Sequence, residues 1–129
     1  MKQPLSLVRA IVLVAEDEAL VRMFAADLLD EAGFRVIEAV HADEALLLLQ
    51  ARPDVQVLVT DVEMTGGSMN GFELARRVRK RWPRIAIIVV SGRQTPGPGD
   101  LPEGVEFIAK PYRPTALLQV IQASVDRGS

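Results

Sequence analysis

Hydrophobic residues in this 129-residue chain fall in short runs separated by longer stretches of mixed character. The runs are rich in valine and isoleucine, and the clearest of them, residues 55–59 followed by Thr60, ends abruptly on Asp61. Such runs are typical of strands that are covered on both faces of a parallel sheet. They predict strands at residues 10–15, 35–39, 55–61, 85–90 and 105–109.

The stretches between these runs predict helices at residues 19–32, 43–51, 72–82 and 114–126. Gly33 supplies a left-handed end for the first helix, Pro83 closes the third and Pro114 opens the last. The second helix has either Asp43 or His41 near its start.

The first helix carries an unusually wide apolar face, broader than the ~100° stripe of a typical core-facing helix. Either the whole face is buried, or one edge stays exposed for a helix of a partner protein. The residues that form this face are Leu20, Val21, Phe24, Ala25, Leu28 and Leu29.

The segment between the last two predicted strands, residues 93–104, does not have the composition of a helix. Each internal proline costs a helix ~3 kcal/mol, and each glycine ~1 kcal/mol relative to alanine. We therefore expect a loop in place of a fourth helix. The helix-breaking residues are Pro96, Gly97, Pro98, Gly99, Pro102 and Gly104.

The alternation of strands and helices predicts a doubly wound α/β fold, with a parallel sheet, right-handed crossovers and helices on both faces. The length indicates a single domain, which we place at residues 10–126, between tails at 1–9 and 127–129.

Composition and charge narrow the function classes. A net charge of −2 does not favour a nucleic-acid partner, and the absence of cysteine excludes disulfides and thiolate metal sites. The amino terminus is not read as a signal peptide, because Arg9 interrupts its apolar stretch and acids follow. No run reaches the ~18 apolar residues of a membrane helix. We expect a cytoplasmic protein without membrane contact.

Reactive residues follow or end four of the predicted strands. Glu16 and Asp17 follow the first strand, Asp61 ends the third, Ser91 follows the fourth and Lys110 follows the fifth. The carboxyl ends of parallel strands meet at one edge of a sheet, where ligands bind in folds of this class. The sequence therefore predicts one site that contains three acids, a hydroxyl and an amine.

This combination indicates phosphoryl transfer. Two like charges ~4 Å apart repel by roughly 4 kcal/mol at an effective dielectric of about 20, so the acid cluster favours a bound cation. Ligands that are all oxygen suit Mg²⁺. With a lysine and a hydroxyl nearby, Asp61 is a candidate nucleophile that would become a phosphoaspartate.

From Ile11 to about Asp126 the chain resembles the receiver domain of two-component response regulators, of the CheY-like single-domain kind. The resemblance implies a flavodoxin-like five-stranded sheet with strand order 2-1-3-4-5. It rests on Glu16-Asp17, Asp61, Met64, Gly71, Ser91-Gly92 and Lys110-Pro111.

The resemblance also implies that Asp61 accepts phosphate from a histidine kinase or a histidine phosphotransfer protein. Asp17, Asp61 and the backbone carbonyl of Glu63 would hold Mg²⁺, and Glu16 would act largely through water. Lys110 would bind the phosphoryl group.

Three further residues take roles from the resemblance. Ser91 would move toward the phosphate, Phe107 would move inward as the switch aromatic, and Pro111 would follow a cis peptide bond. The protein would be a signalling protein rather than an enzyme, with self-phosphorylation and slow self-dephosphorylation as its only reactions.

Two departures from the family pattern lie near the site. Thr65-Gly66-Gly67-Ser68 replaces a shorter segment that usually begins with proline, so we expect a looser rim. Glu63 and Arg93 are expected to pair over the phosphoryl group and slow its loss.

Other functions remain open. Little sequence follows Asp126, so we expect signalling through an unspecified protein partner, or a phosphate sink or scaffold without output. Asp61-Val62-Glu63 also fits a haloacid dehalogenase-type phosphatase, although the nucleophile of that class closes the first strand. A flavin- or nucleotide-binding module is disfavoured because Glu16-Asp17-Glu18 would repel phosphate.

Overall fold

The computed structural model describes residues 9–128 and forms one parallel sheet. The strand order is β2-β1-β3-β4-β5, which confirms the predicted flavodoxin-like arrangement. The predicted strands are all present with small shifts at their ends. Their bounds are β1 (Ile11–Ala15), β2 (Arg35–Ala39), β3 (Val55–Asp61), β4 (Ala86–Ser91) and β5 (Glu106–Ala109).

Four helices connect or follow the strands, and each lies within one residue of its predicted bounds. They are α1 (Ala19–Glu31), α2 (Ala42–Ala51), α3 (Gly71–Arg81) and α4 (Pro114–Arg127). The ring nitrogen Nδ1 of His41 caps α2 and the Asn70 side chain caps α3, by accepting backbone N–H bonds of 3.1 and 3.0 Å. No helix in the described part of the chain is long and apolar enough to cross a membrane.

Alternate residues of the central strands face two separate layers of core. One face of the sheet packs under α2 and α3 and includes Leu13, Leu58 and Ile87. The other face packs under α1 and α4 and includes Val12, Val57 and Ile88. Because both faces are covered, these strands read as continuous apolar runs and not as alternating ones.

The wide apolar face of α1 is only partly buried. Ala25 and Leu29 enter the core, while Leu20 and Phe24 keep 80% and 58% of their surfaces exposed and Met23 keeps 52%. Of the two alternatives, the structure therefore agrees with the one in which an edge of α1 stays exposed.

Residues 92–105 form no helix, as the proline and glycine pattern predicts. The segment is attached at few points. The Arg76 side chain donates to the Asp100 carbonyl at 2.9 Å, and Leu101 and Val105 pack against the core. Within the segment, the Gly97 N–H donates to the Asp100 carboxylate at 2.6 Å.

The predicted ends of the domain fall close to the limits of the described residues. Apart from Arg9, the predicted tail at residues 1–9 lies outside the described residues, as does Ser129. Helix α4 extends to Arg127, one residue beyond the predicted domain end at Asp126.

Gly71 allows α3 to begin directly against the end of β3. A Cβ atom built on Gly71 overlaps the Asp61 carbonyl and lies 2.8 Å from the Val62 Cα, and these backbone atoms cannot move aside cheaply. We therefore expect Gly71→Ala to lower the free energy of unfolding by about 3 kcal/mol, at the upper end of typical overpacking costs. Urea denaturation measures the change.

Gly128→Ala is the matched control, since a Cβ there makes only ordinary contacts of 3.6 Å and the backbone is α-helical. A Gly71→Ala protein as stable as this control would contradict the close approach of α3 to β3.

Candidate functional site

The predicted reactive residues lie together at the carboxyl edge of the sheet. Asp61 and Ser91 are the last residues of β3 and β4, Glu16 follows β1 and Lys110 follows β5. Each position is fixed by strand pairing, for example by the Lys110 N–H donating to the Ser91 carbonyl at 2.9 Å. Glu16, Asp61 and Lys110 line an open cavity of about 550 Å³, together with Asp17.

Three carboxylates converge within this cavity. One oxygen from each of Glu16, Asp17 and Asp61 lies within 4.8 Å of the others. Glu16 and Asp61 are only 5% and 7% exposed, and Asp17 is partly buried. A set of carboxylate oxygens without histidine or cysteine fits a hard cation such as Mg²⁺.

Lys110 is the cation nearest to these acids. Its Nζ donates to the Glu16 Oε1 at 3.2 Å and lies 3.3 Å from the Asp61 Oδ1. The second contact is an ion pair without hydrogen-bond geometry, and the buried Asp61 Oδ1 has no hydrogen-bond partner among residues 9–128. Buried polar atoms are rarely left in this state. An added cation would supply the missing partner.

The pKa shifts show that the negative charge is not fully balanced. Burial raises the pKa of Asp61 to about 6, and the charge of Glu16 adds to the rise while Lys110 opposes it. Burial also raises the pKa of Glu16, again against Lys110. Burial acts to raise the pKa of Asp17 too, but hydrogen bonds from Thr65 outweigh it and lower the pKa.

Ser91 is hydrogen-bonded to Glu63. The Ser91 hydroxyl donates to the Glu63 carboxylate at 2.7 Å and accepts from the backbone N–H groups of Arg93 and Gln94 at 3.3 and 3.0 Å. Within residues 9–128 the Arg93 side chain has no ion pair in this unphosphorylated structure, and its pairing with Glu63 over a phosphoryl group stays a prediction.

The rim after Asp61 is held at both ends, contrary to the expectation of a looser loop. Thr65 donates to the Asp17 carboxylate, and Ser68 donates to the Asp43 carboxylate. Sequence reasoning assigned no role to Thr65, and it considered Asp43 only as a helix cap. The hydroxyls on either side of the Gly66-Gly67 pair were the available signal.

Phe107 and Pro111 flank Lys110 in the chain. Phe107 lies half-buried on β5 and packs against the core layer under α2 and α3. The Lys110–Pro111 peptide bond is cis, as the resemblance implied. Glu63 lies two residues beyond Asp61 and lines the same cavity, and the part expected of its backbone carbonyl in metal binding stays a prediction.

The sheet order and the acidic site with its lysine define a class of flavodoxin-like α/β proteins, and sequence comparison identifies the family. The chain belongs to the response regulator receiver domain family, whose profile matches residues 12–122. Receiver domains are signalling domains of two-component systems and are phosphorylated by histidine kinases. The family assignment, and the position of Asp61 on β3, disfavour a dehalogenase-type phosphatase.

Individual relatives differ in length. The chain is 35% identical to a chemotaxis protein CheY homolog of Campylobacter jejuni over 123 residues, which cover 91% of this chain and 93% of that protein. It is 36% identical to the hydrogenase transcriptional regulatory protein HoxA of Cupriavidus necator over 92% of this chain, but it spans only 24% of HoxA.

The fold is shared with solved receivers. A response regulator receiver domain protein from Clostridium thermocellum is 27% identical and superposes with a TM-score of 0.80, over 92% of this chain and 95% of that one.

Replacement of Asp61 by asparagine is expected to stabilise the metal-free protein. The pKa of Asp61 rises from an ordinary 3.8 to about 6 on folding, so the folded state favours the neutral carboxyl. The stability of the fold is therefore full below pH 4, where Asp61 is protonated, and falls as the pH rises through 6. Above pH 7 the carboxylate costs up to about 3 kcal/mol, at about 1.4 kcal/mol per pKa unit. Urea denaturation in EDTA should show a higher midpoint for Asp61→Asn at pH 7.5 and a smaller difference at pH 5.

The exposed acid Glu103 offers a control, because Glu103→Gln removes the same charge away from the site. An Asp61→Asn midpoint no higher than that of Glu103→Gln at pH 7.5 would show that Asp61 carries no burial cost.

Proposed function

We propose that this chain is a phosphoacceptor of a two-component phosphorelay. Asp61 takes a phosphoryl group from a histidine kinase or a histidine phosphotransfer protein in a reaction that depends on Mg²⁺, and the phosphorylated form changes its binding to a protein partner. The observation that carries this proposal is the buried Asp61 Oδ1, which has no hydrogen-bond partner in the described part of the chain yet lies 3.3 Å from Lys110.

Asp61 acts as the nucleophile. A carboxylate oxygen forms a bond to phosphorus while the bond from phosphorus to the donor's imidazole nitrogen breaks, and the nitrogen keeps the electron pair. Phosphoryl transfer depends mainly on positioning and charge stabilisation, which β3 supplies by fixing Asp61 at the edge of a buried sheet.

The cations of the site offset the charge that the phosphoryl group adds. Lys110 faces both Glu16 and Asp61, so it can follow the phosphoryl oxygens without losing an acidic partner. Glu16, Asp17, Asp61 and the Glu63 backbone carbonyl would hold Mg²⁺. When bound, the metal would neutralise the carboxylates and the phosphoryl oxygens.

The response to phosphorylation would begin at Ser91. Its hydroxyl proton is held by the Glu63 carboxylate, and a phosphoryl group on Asp61 offers a competing acceptor of higher charge. Movement of Ser91 toward that acceptor would free space at the end of β4. Phe107 on the neighbouring β5 would then move inward as the switch aromatic.

The exposed edge of α1 is the surface that we assign to the phosphodonor. Leu20, Met23 and Phe24 lie in the first two turns of a helix that begins right after Glu18, at the edge of the sheet that holds Asp61. A donor helix whose histidine reaches Asp61 would cover these residues. Clustered, largely exposed apolar side chains of this kind mark interaction sites more often than single ones do.

Intact mass spectrometry after incubation with Mg²⁺ and a small acyl phosphate tests the chemistry. We expect one added phosphoryl group on the wild type, and none on Asp61→Asn or in the presence of EDTA. A beryllofluoride titration, followed by a change in thermal stability, covers the case in which hydrolysis outpaces detection. Failure of both measurements on the wild type would contradict the proposal.

The donor surface can be tested apart from the chemistry. We expect Leu20→Ala/Phe24→Ala to slow transfer from a phosphorylated histidine protein at least about tenfold, because loss of buried apolar contacts costs 1–3 kcal/mol or more at each anchor. Transfer from a small acyl phosphate, which needs no docking surface, should stay within about twofold of wild type. Rapid-quench assays with each donor give the two rates.

Leu47→Ala removes an equally exposed apolar side chain from α2 and serves as the control. Equal loss with both donors, or equal loss in the Leu47→Ala protein, would remove the assignment of the donor surface to α1.

A further inference from the structure

The rim segment Thr65-Gly66-Gly67-Ser68 is fastened to two different parts of the domain. At one end, the Thr65 N–H and hydroxyl both donate to the Asp17 Oδ2 at 2.9 Å. At the other end, the Ser68 N–H and hydroxyl donate to the two Asp43 carboxylate oxygens at 2.8 Å. The segment therefore spans from the acidic cluster to the first turn of α2.

Two glycines make this span possible. Gly66 and Gly67 have φ values of 69° and 87°, a region that other residues rarely adopt. A Cβ on Gly67 would also lie 3.2 Å from both Asp43 and His41, closer than packing normally allows. The segment thus lies directly against the start of α2, and its two hydroxyl residues reach acids on opposite sides.

We infer that Thr65 is a positioning residue for Asp17 and sets the affinity of the acidic cluster for a divalent cation. This inference rests on the proposed function, in which Asp17 is a metal ligand. Asp17 is partly exposed and follows β1 by two residues, so the strand alone does not fix its side chain. Two donors on a single oxygen fix the carboxylate and leave the Oδ1 without a bond to Thr65.

The physical argument is that a cation binds best to ligands already held in place. A free aspartate side chain loses rotational freedom when it binds a metal, and Thr65 has removed that freedom beforehand. Outer partners of this type typically change metal affinity by about 10–100-fold when they are lost. Thr65 keeps one of its two hydrogen bonds in any side-chain variant, so we expect an effect at the lower end.

The experiment is calorimetric titration of the unphosphorylated full chain with Mg²⁺. Thr65→Val removes the hydroxyl, keeps the shape and keeps the backbone donor, and we expect its Kd for Mg²⁺ to rise about 3–10-fold. Thr65→Ser restores a hydroxyl and should return the Kd to within about twofold of wild type. Circular dichroism and thermal unfolding confirm that each variant is folded.

Ser68→Ala is the matched control. It also removes one hydroxyl bond to a carboxylate and keeps the backbone donor, but the carboxylate belongs to Asp43 and not to the cluster. We expect its Kd for Mg²⁺ to equal that of wild type. A loss as large as that of Thr65→Val would assign the effect to the whole segment and overturn the specific role of Thr65.

The remaining outcomes separate this inference from the proposed function. If the wild type binds Mg²⁺ and Thr65→Val binds it equally well, the inference about Thr65 is wrong and the phosphoacceptor proposal stands. If the wild type shows no Mg²⁺ binding at all, both are overturned.

Discussion

The site depends on an imbalance of charge, because its buried carboxylates outnumber the positive charges beside them. Glu16 and Asp61 are almost inaccessible to solvent, and among residues 9–128 only Lys110 forms ion pairs with both. Burial raises the pKa of each acid, which means that the folded chain resists holding both charges without additional help. A cation that enters this place stabilises the folded domain, so cation binding and domain stability are linked.

The rest of the architecture keeps these buried carboxylates in position. Two layers of aliphatic side chains hold the sheet from both faces, and the strand ends cannot retreat from one another. Gly71 lets α3 begin so close to the Asp61 backbone that no side chain would fit at position 71. Carboxylates that repel one another stay close only where the surroundings hold them, and here the packed core does so.

The resemblance to receiver domains implied the sheet order. Periodicity, strand direction and the proline and glycine content predicted the strands, the helix-free segment before β5 and the residues that meet at the strand ends. Sequence reasoning was less able to predict how side chains share partners. Whether the wide apolar face of α1 is wholly buried could not be predicted, since the spacing of Leu20 and Phe24 does not show whether another element covers them. The Glu63 contact to Ser91 and the Thr65 contact to Asp17 join residues 28 and 48 positions apart, and no local pattern encodes such pairs.

The segment between β4 and β5 can change in sequence with little effect on the core of the domain. It contributes few buried contacts and is held to the rest of the domain mainly through Asp100, Leu101 and Val105, so substitutions and changes of length before Asp100 leave both core layers intact. This segment begins directly after Ser91, at the edge of the sheet that holds the site. Duplicated copies of such a domain could thus acquire different partners while the phosphoryl chemistry stayed the same.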